Sequence, residues 1–118
     1  PKENKEKSIK KINFTLAHSQ QSFLLFKKEE KTFWESLWIP FDNQNSKKEM
    51  IFKKPKKTKI TNINHALSHL NLDITVEIFE YNAPFKIKTN LTHQWITKDD
   101  IHNYGLPKPI KTIIENYV

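Results

Sequence analysis

The alternation of apolar and polar residues changes phase at Ser68 and His69. Before this point Ile63 and Leu67 are apolar at odd positions, whereas the apolar residues after it stand at even positions: Leu70, Leu72, Ile74, Val76 and Ile78. Successive side chains of a strand point to opposite faces, so one regular strand cannot bury both sets. We therefore predict a β-bulge or a tight kink at Ser68-His69, which leaves backbone groups and the Ser68 hydroxyl unpaired and directed outward.

The start of the chain predicts a linker followed by a hairpin. Residues 1–8 are rich in Lys and Glu and lack large apolar side chains, so we expect them to be the end of an interdomain linker, with residues 9–118 forming a single domain. The absence of an initiator Met is compatible with an excised fragment. Alternating apolar residues over positions 12–16 predict one strand, positions 18–21 a turn, and the apolar run over positions 23–26 a second, fully buried strand.

Three helices are predicted from capping residues and helical spacing. Ser46 and Glu49 have the spacing of a capping box, which predicts a short helix to about Lys54. Thr97 caps a second short helix, after which Gly105 is expected to supply a left-handed conformation. A final helix is predicted from an opening proline and four apolar residues on one face, Pro107, Ile110, Ile113, Ile114 and Tyr117.

The order of these elements indicates an α+β domain. Residues 82–92 form a polar loop, and Trp95-Ile96 is a brief strand before the last two helices. Such an order favours helices packed on a mostly antiparallel or mixed sheet. No apolar run approaches the ~18 residues that cross a bilayer, so we expect a soluble cytoplasmic protein with no membrane partner.

Lysine supplies all of the strongly basic side chains, with 20 Lys and no Arg against 13 acidic residues. Residues 1–59 carry 15 Lys and 7 acids, whereas residues 60–118 carry 5 Lys and 6 acids. This asymmetry predicts a basic face that follows a phosphate backbone, with a solvated surface as the alternative. The best candidates are Lys56, Lys57 and Lys59, and five further residues are expected to border the nucleic acid: Lys53, Lys54, Tyr81, Lys86 and Lys88.

Several kinds of chemistry are excluded or disfavoured. The chain has no Cys, which excludes a disulfide, a thiolate zinc site and an iron–sulfur cluster within it. His65 and His69 are four residues apart, but a strand with an irregularity between them does not bring two imidazoles together, so we expect no metal site and a structural, hydrogen-bonded His65. Ser68 has neither a glycine elbow nor an oriented base, which disfavours nucleophilic catalysis.

Three ordered motifs carry a family resemblance. They are His65-x-Leu67-Ser68-His69-x-x-Leu72-Asp73-Ile74, the earlier segment Phe33-Trp34-Glu35-Ser36-Leu37-Trp38-Ile39-Pro40-Phe41, and Gln94-Trp95-Ile96 followed by Tyr104-Gly105-Leu106-Pro107. In this order and spacing they resemble the C-terminal domain of MutY-type adenine DNA glycosylases over roughly residues 9–118.

The resemblance implies a Nudix-like α/β/α sandwich with a mixed, largely antiparallel sheet. It also implies a DNA-repair role, in which Leu67, Ser68 and His69 lie at duplex DNA that holds 8-oxoguanine opposite adenine. His69 would either contact a phosphate or stabilise the kink. A separate N-terminal catalytic domain, with a carboxylate pair and a [4Fe-4S] cluster, would remove the adenine in base excision repair. The domain itself is then expected to have no glycosylase activity and to act near the bacterial nucleoid.

The chemistry of the lesion suits a serine hydroxyl. Oxidation of guanine adds an oxygen at C8 and turns N7 from an acceptor into a donor. A recognition site therefore needs an acceptor near N7 and, where one can approach, a donor near O8. The hydroxyl of Ser68 can act as either. The alternative is that Ser68 simply occupies a turn.

The sequence departs from the family pattern at two places. Leu67 stands where a phenylalanine is usual, so this position has no ring to stack on a base. Glu35 and Ser36 replace two glycines, and Glu35 would repel a phosphate. We expect Trp34 and Trp38 to be scaffold residues and not base-stacking platforms.

Two alternative functions stay open. One is a stand-alone Nudix-related nucleotide hydrolase acting on oxidised nucleotides. A Nudix box needs glycines at both ends and an Arg-Glu pair with further glutamates, whereas this chain has one Gly, at position 105, and no Arg. Glu49 is better explained as a helix cap than as a metal ligand. The other alternative is a basic protein-interaction domain with an acidic partner such as a sliding clamp.

Overall fold

The computed structural model describes residues 7–44 and 51–117. In these residues a seven-stranded mixed sheet is accompanied by a 3₁₀ helix and a C-terminal α-helix. The strands are β1 (Ser8–Ser19), β2 (Ser22–Lys27), β3 (Trp38–Ile39), β4 (Phe41–Asp42), β5 (Lys57–Ala66), β6 (Leu70–Tyr81) and β7 (His93–Thr97); the 3₁₀ helix is Lys98–Asn103 and helix α1 is Lys108–Asn116. The predicted α+β class is therefore confirmed.

The sheet is built around one long parallel pair. Strand β1 runs beside β6 over twelve residues, from Ser8 opposite Leu70 to Ser19 opposite Tyr81. The other pairs are antiparallel, and the strand order is β3-β2-β1-β6-β5, with β4 on β1 and β7 on β2. The sheet is thus mixed and largely antiparallel, as expected. Strand β1 also begins at Ser8, inside the predicted linker, because its first residues pair with β6.

The predicted bulge at Ser68-His69 is wrong, because the chain reverses direction there. Strands β5 and β6 form a regular antiparallel hairpin in which Ile63 lies opposite Ile74 and Ala66 opposite Asn71. In this register the odd-numbered residues of β5 lie directly opposite the even-numbered residues of β6. The residues before and after the phase change therefore fall on the same face of the sheet, since paired residues in a ladder share a face.

Both faces of the sheet carry a hydrophobic cluster. One contains alternate residues of β1 and β6, such as Phe14 and Val76, packed with the apolar side of α1 at Ile110, Ile113 and Ile114. The other contains Ala17, Leu24, Phe26, Phe41, Ile51 and Tyr81. Residues 23–26 of strand β2 contribute to both clusters and are all buried, as predicted.

The N-terminal hairpin and the last two helices match their predictions in most respects. Strands β1 and β2 are joined by the turn Gln20-Gln21, and the amide of Asp100 donates to Thr97 Oγ1 at 3.2 Å as a cap. Helix α1 begins after Pro107 as expected. Tyr117 follows the helix and is 36% exposed, so it is not part of the packed face. No helix in the described part of the chain is long and apolar enough to cross a membrane.

The structure differs from two predictions about where helices end. Gly105 has no positive φ, so the expected left-handed cap is wrong. Its carbonyl accepts a hydrogen bond from the Trp38 amide at 2.7 Å, and a Cβ on Gly105 would lie 2.9 Å from Leu37 Cδ2. The capping box of the first predicted helix lies outside the described residues. Ile51 is helical and residues 52–54 are not, so that helix ends before Lys54.

Candidate nucleic-acid interface

Ser68 and His69 form the two-residue loop of the β5–β6 hairpin. The Leu67 amide donates to the Leu70 carbonyl at 2.7 Å, which closes the loop on one side. Both loop side chains are exposed, and neither hydrogen-bonds to a described residue. The structure therefore presents a hydroxyl and an imidazole at the tip of a hairpin, free to contact a ligand.

Leu67 is held differently from its two neighbours. Its side chain is half-buried and packs against the cluster on the α1 side of the sheet, together with Leu70 and Trp34. A side chain anchored in this way fixes the position of the loop. Its proposed contact with DNA stays a prediction.

The loop stands at what we call the narrow end of the sheet, where only three strands lie side by side. This end consists of Ser8–Ile12 of β1, Ile63–Ala66 of β5 and Leu70–Ile74 of β6. Within the described ranges these β1 residues pair only with β6, since β4 begins pairing at Phe14 and β2 at Ala17.

Three lysines near the loop were not among the predicted site residues. Lys7 precedes β1, and its Nζ donates to the Leu67 carbonyl at 2.8 Å. Lys10 and Lys11 lie opposite Leu72 and Asp73, and both are exposed. They escaped sequence analysis because their position depends on a parallel pairing between segments about 60 residues apart, for which short-range periodicity gives no signal.

The predicted lysine candidates lie at the other end of the hairpin. Lys57 is opposite Glu80, the Lys56 amide donates to the Glu80 carbonyl at 2.7 Å, and Lys59 is opposite Ile78. At ~3.3 Å per residue, Lys57 is about 35 Å from Ser68 along β5. The structure therefore does not bring the predicted lysines and Ser68 into one compact site.

Two lysines at this end of the sheet contact aromatic rings. Lys59 Nζ lies 5.7 Å from the centre of the Tyr117 ring, and Lys53 Nζ lies 5.2 Å from that of Phe85. A lysine stem can cover an apolar ring while its ammonium stays in water. Lys56 and Lys57 are exposed and project from the same end of the sheet.

Tyr81 is a core residue and not an exposed contact. Its side chain is 7% exposed, and its hydroxyl donates to the Lys53 carbonyl at 2.7 Å. Burial raises the pKa of Tyr81 to about 12. Lys86 and Lys88, which were also expected to border the nucleic acid, are exposed on the loop that follows β6.

The tryptophan segment supports the hairpin from the α1 side. Trp34 and Trp38 both pack against the core, as predicted for scaffold residues. The Trp34 ring lies 6.2 Å from the His65 ring, and the Trp38 ring lies 5.5 Å from that of Tyr104. His65 is half-buried against Trp34, and its side chain makes no hydrogen bond to another described residue, contrary to expectation.

The segment also contains two residues with left-handed backbone. Trp34 and Ser36 have φ values of 65° and 71°, and Ser36 is one of the two positions at which the family pattern has glycine. This conformation is held by two hydrogen bonds across the loop, from the Ser36 amide to the Lys28 carbonyl and from the Lys28 amide to the Leu37 carbonyl, each 2.8 Å.

The Lys28 side chain packs against the residues that lead into the tryptophan segment. This side chain is only 8% exposed. Its Nζ contacts Thr32 Oγ1, lies 3.7 Å from a Glu30 carboxylate oxygen, and lies 4.9 Å from the centre of the Phe33 ring. This lysine is therefore committed to the scaffold, and it is not part of a basic surface.

Among the described residues, His, Asp and Glu form no group of three or more that could hold a metal ion. Glu49, which we predicted to be a helix cap and not a metal ligand, lies outside the described ranges. What the arrangement provides is a contact surface: a polar loop at one end of a hairpin and lysines at both ends.

Comparison with known proteins gives the family. A model of the NUDIX domain matches residues 13–116. The adenine DNA glycosylase of Buchnera aphidicola subsp. Schizaphis graminum (strain Sg) is 32% identical over 127 residues, covering 98% of this chain. The chain spans 36% of the length of that relative.

Three solved structures share the fold. The C-terminal domain of mouse MUTYH, from its complex with human PCNA, superposes with a TM-score of 0.65 at 12% identity and covers 91% of this chain and 86% of that chain. The Nudix hydrolase RenU of M. smegmatis gives 0.55 at 11% identity, with coverages of 90% and 80%. The E. coli ORF135 protein gives 0.58 at 9% identity, with coverages of 92% and 88%. Taken with the family model, these matches show that the chain belongs to the Nudix domain family and is similar to the C-terminal domain of MutY-type adenine DNA glycosylases.

Proposed function

We propose that this chain is the lesion-recognition domain of an adenine DNA glycosylase and reads 8-oxoguanine opposite adenine. The observation that carries the proposal is the Ser68-His69 loop, which projects two exposed polar side chains from the narrow end of the sheet. Its support from outside the structure is the 32% identity to a bacterial adenine DNA glycosylase.

The Ser68 hydroxyl is the proposed reader of the oxidised base. It accepts a hydrogen bond from N7–H of 8-oxoguanine, a donor that guanine lacks. His69 lies next to it in the loop and is placed to contact the neighbouring phosphate. Because the half-buried Leu67 packs into the core, the loop keeps its shape when DNA is absent, and this lowers the cost of ordering on binding.

The two groups of lysines extend the proposed contact along the duplex. Lys10 and Lys11 lie near the loop, whereas Lys56 and Lys57 lie about 35 Å away along β5. Phosphates on one DNA strand advance by ~3.4 Å each, so this length corresponds to about ten base pairs. The lysines would add salt-dependent affinity without reading sequence.

The proposal assigns recognition to this chain and the chemistry to another part of the protein. The adenine would be removed by an N-terminal catalytic domain, which is the second proposed partner besides duplex DNA. A [4Fe-4S] cluster does not fit this chain, because it has no cysteine to ligate iron. We place the complete protein in the bacterial cytoplasm, on the nucleoid.

The test compares adenine excision from 8-oxoguanine:A and G:A duplexes by the full-length protein. Ser68→Ala is expected to lower the ratio of the two rates about fivefold, since one hydrogen bond contributes roughly 1 kcal/mol. The matched control is Ser22→Ala, at the opposite end of the sheet, which should leave the ratio unchanged. An unchanged ratio in Ser68→Ala would refute the assigned role.

A nucleotide-hydrolase assay separates this proposal from the alternative enzyme. The full-length protein is incubated with an oxidised nucleoside triphosphate and Mg²⁺, and pyrophosphate release is measured. We expect no release, because the chain lacks the Arg and the paired glycines of a Nudix box. Metal-dependent release that survives mutation of the glycosylase carboxylates would favour the hydrolase.

A further inference from the structure

Strand β1 begins directly beside the Ser68-His69 loop. Its first residue, Ser8, lies opposite Leu70, the first residue after the loop. The residue before it, Lys7, donates from its Nζ to the Leu67 carbonyl at 2.8 Å. The start of β1 and a loop 60 positions later are therefore in direct contact.

This contact completes the closure of the loop. A two-residue hairpin loop can be closed by two backbone hydrogen bonds between its flanking residues. Here the Leu67 amide donates to the Leu70 carbonyl at 2.7 Å. Among the described residues the Leu67 carbonyl accepts from Lys7, and the Leu70 amide does not donate to it. An ammonium thus takes the place of one backbone donor.

The Lys7 ammonium, as the donor to the Leu67 carbonyl, restricts the backbone next to Ser68. The Leu67 carbonyl belongs to the peptide group that leads into Ser68, so a donor bound to it restricts the orientation of that peptide. The bond is charge-assisted, and such bonds are stronger than neutral ones. The opposite side of the loop is restricted by Ser8, whose strand pairs with Leu70.

We propose that Lys7 is a positioning residue for the Ser68-His69 loop and that its contact with the Leu67 carbonyl sets the geometry with which the loop meets the base. This inference rests on the proposed function of the loop. It predicts that loss of the Lys7 contact changes lesion discrimination without removing a group that reads the base.

The first experiment measures discrimination in the full-length protein. Lys7→Gln is expected to lower the ratio of excision rates on 8-oxoguanine:A and G:A duplexes about threefold, and Lys7→Arg, which keeps a charged donor, should restore most of it. The control is Lys108→Gln, which removes the same charge from an exposed position on helix α1. Equal losses in Lys7→Gln and Lys108→Gln would show a general charge effect and overturn the proposal.

A second measurement separates failure of this inference from failure of the proposed function. Hydrogen exchange of the Leu67 amide, followed by NMR in the same protein, reports closure of the loop without DNA. Lys7→Gln should exchange at least threefold faster than wild type, and Lys7→Arg should not. Unchanged exchange overturns the positioning role. Faster exchange, with discrimination insensitive to both Lys7→Gln and Ser68→Ala, would leave the loop contact standing and reject the proposed function.

Discussion

Lys57 and Ser68 lie at opposite ends of the β5–β6 hairpin, about 35 Å apart along strand β5. This separation divides the proposed interface into two parts with different physical roles. Under the proposed function the loop distinguishes bases by hydrogen bonds, whereas the lysine group adds charge that does not. The two contributions can therefore be altered independently.

Replacing Lys56 and Lys57 by Gln should weaken DNA binding equally for 8-oxoguanine:A and G:A duplexes. Each lysine that neutralises a phosphate contributes about one unit to the slope of log K against log salt, so the slope should fall by up to about two. Titrations at several salt concentrations measure both effects.

The control for this pair is Lys108→Gln with Lys111→Gln, which removes the same charge from helix α1. It should change the slope by much less. A change in the ratio of the two affinities on replacing Lys56 and Lys57 would contradict the division of roles.

Ser36→Gly should stabilise the domain. Ser36 has φ of 71°, a left-handed conformation that costs a residue with a Cβ roughly 1 kcal/mol or more. Part of this gain is offset by the greater freedom of glycine in the unfolded chain, so we expect an increase of about 0.5 kcal/mol in the free energy of unfolding. Urea denaturation gives the value.

Ser22→Gly is the matched control for that change. Ser22 lies in β2 and has no positive φ, so glycine there should lower the free energy of unfolding by about 0.5–1 kcal/mol. Destabilisation by both substitutions would show that the left-handed conformation of Ser36 carries no strain.

Tyr81→Phe should reduce the dependence of stability on alkaline pH. The pKa of Tyr81 is raised from 10 to about 12, so its contribution is complete below pH 10 and is lost as the pH rises toward 12. The urea midpoint of the wild type should therefore fall more steeply over this range than that of Tyr81→Phe.

At neutral pH the same variant loses the hydrogen bond to the Lys53 carbonyl, which should cost about 1 kcal/mol. Tyr117→Phe serves as the control, because Tyr117 is 36% exposed and follows helix α1. Identical alkaline profiles for wild type and Tyr81→Phe would disprove the role of the buried hydroxyl.

The β5–β6 hairpin shows how much the alternation of apolar residues predicts when the fold is unknown. The change of phase at Ser68-His69 was a correct sign that a regular strand stops there. A bulge and a two-residue reversal both shift the phase by one, so the pattern alone did not distinguish them. The structure decides for the reversal, because Ile63 pairs with Ile74 and the apolar residues of both strands then face α1.

Gly105 and Tyr81 show a similar limit. A glycine after a helix is often left-handed, but here the Leu37 side chain and the Trp38 amide lie close to it, and the backbone has no positive φ. A tyrosine at the end of a strand beside lysines suggested a surface contact, yet its partner is the Lys53 carbonyl in a buried cluster. Both outcomes depend on residues distant in sequence.

The sequence by itself determined the α+β class, the burial of residues 23–26, the start of helix α1 and the interruption of the strand pattern at Ser68-His69, because apolar spacing and capping residues act locally. Only the tertiary structure decided that β1 runs parallel to β6, which places Lys7 against the Leu67 carbonyl and leaves Lys56 and Lys57 at the far end of the hairpin. Pairing between distant strands depends on how the whole core packs, so residues far apart in sequence become neighbours for reasons that no local pattern contains.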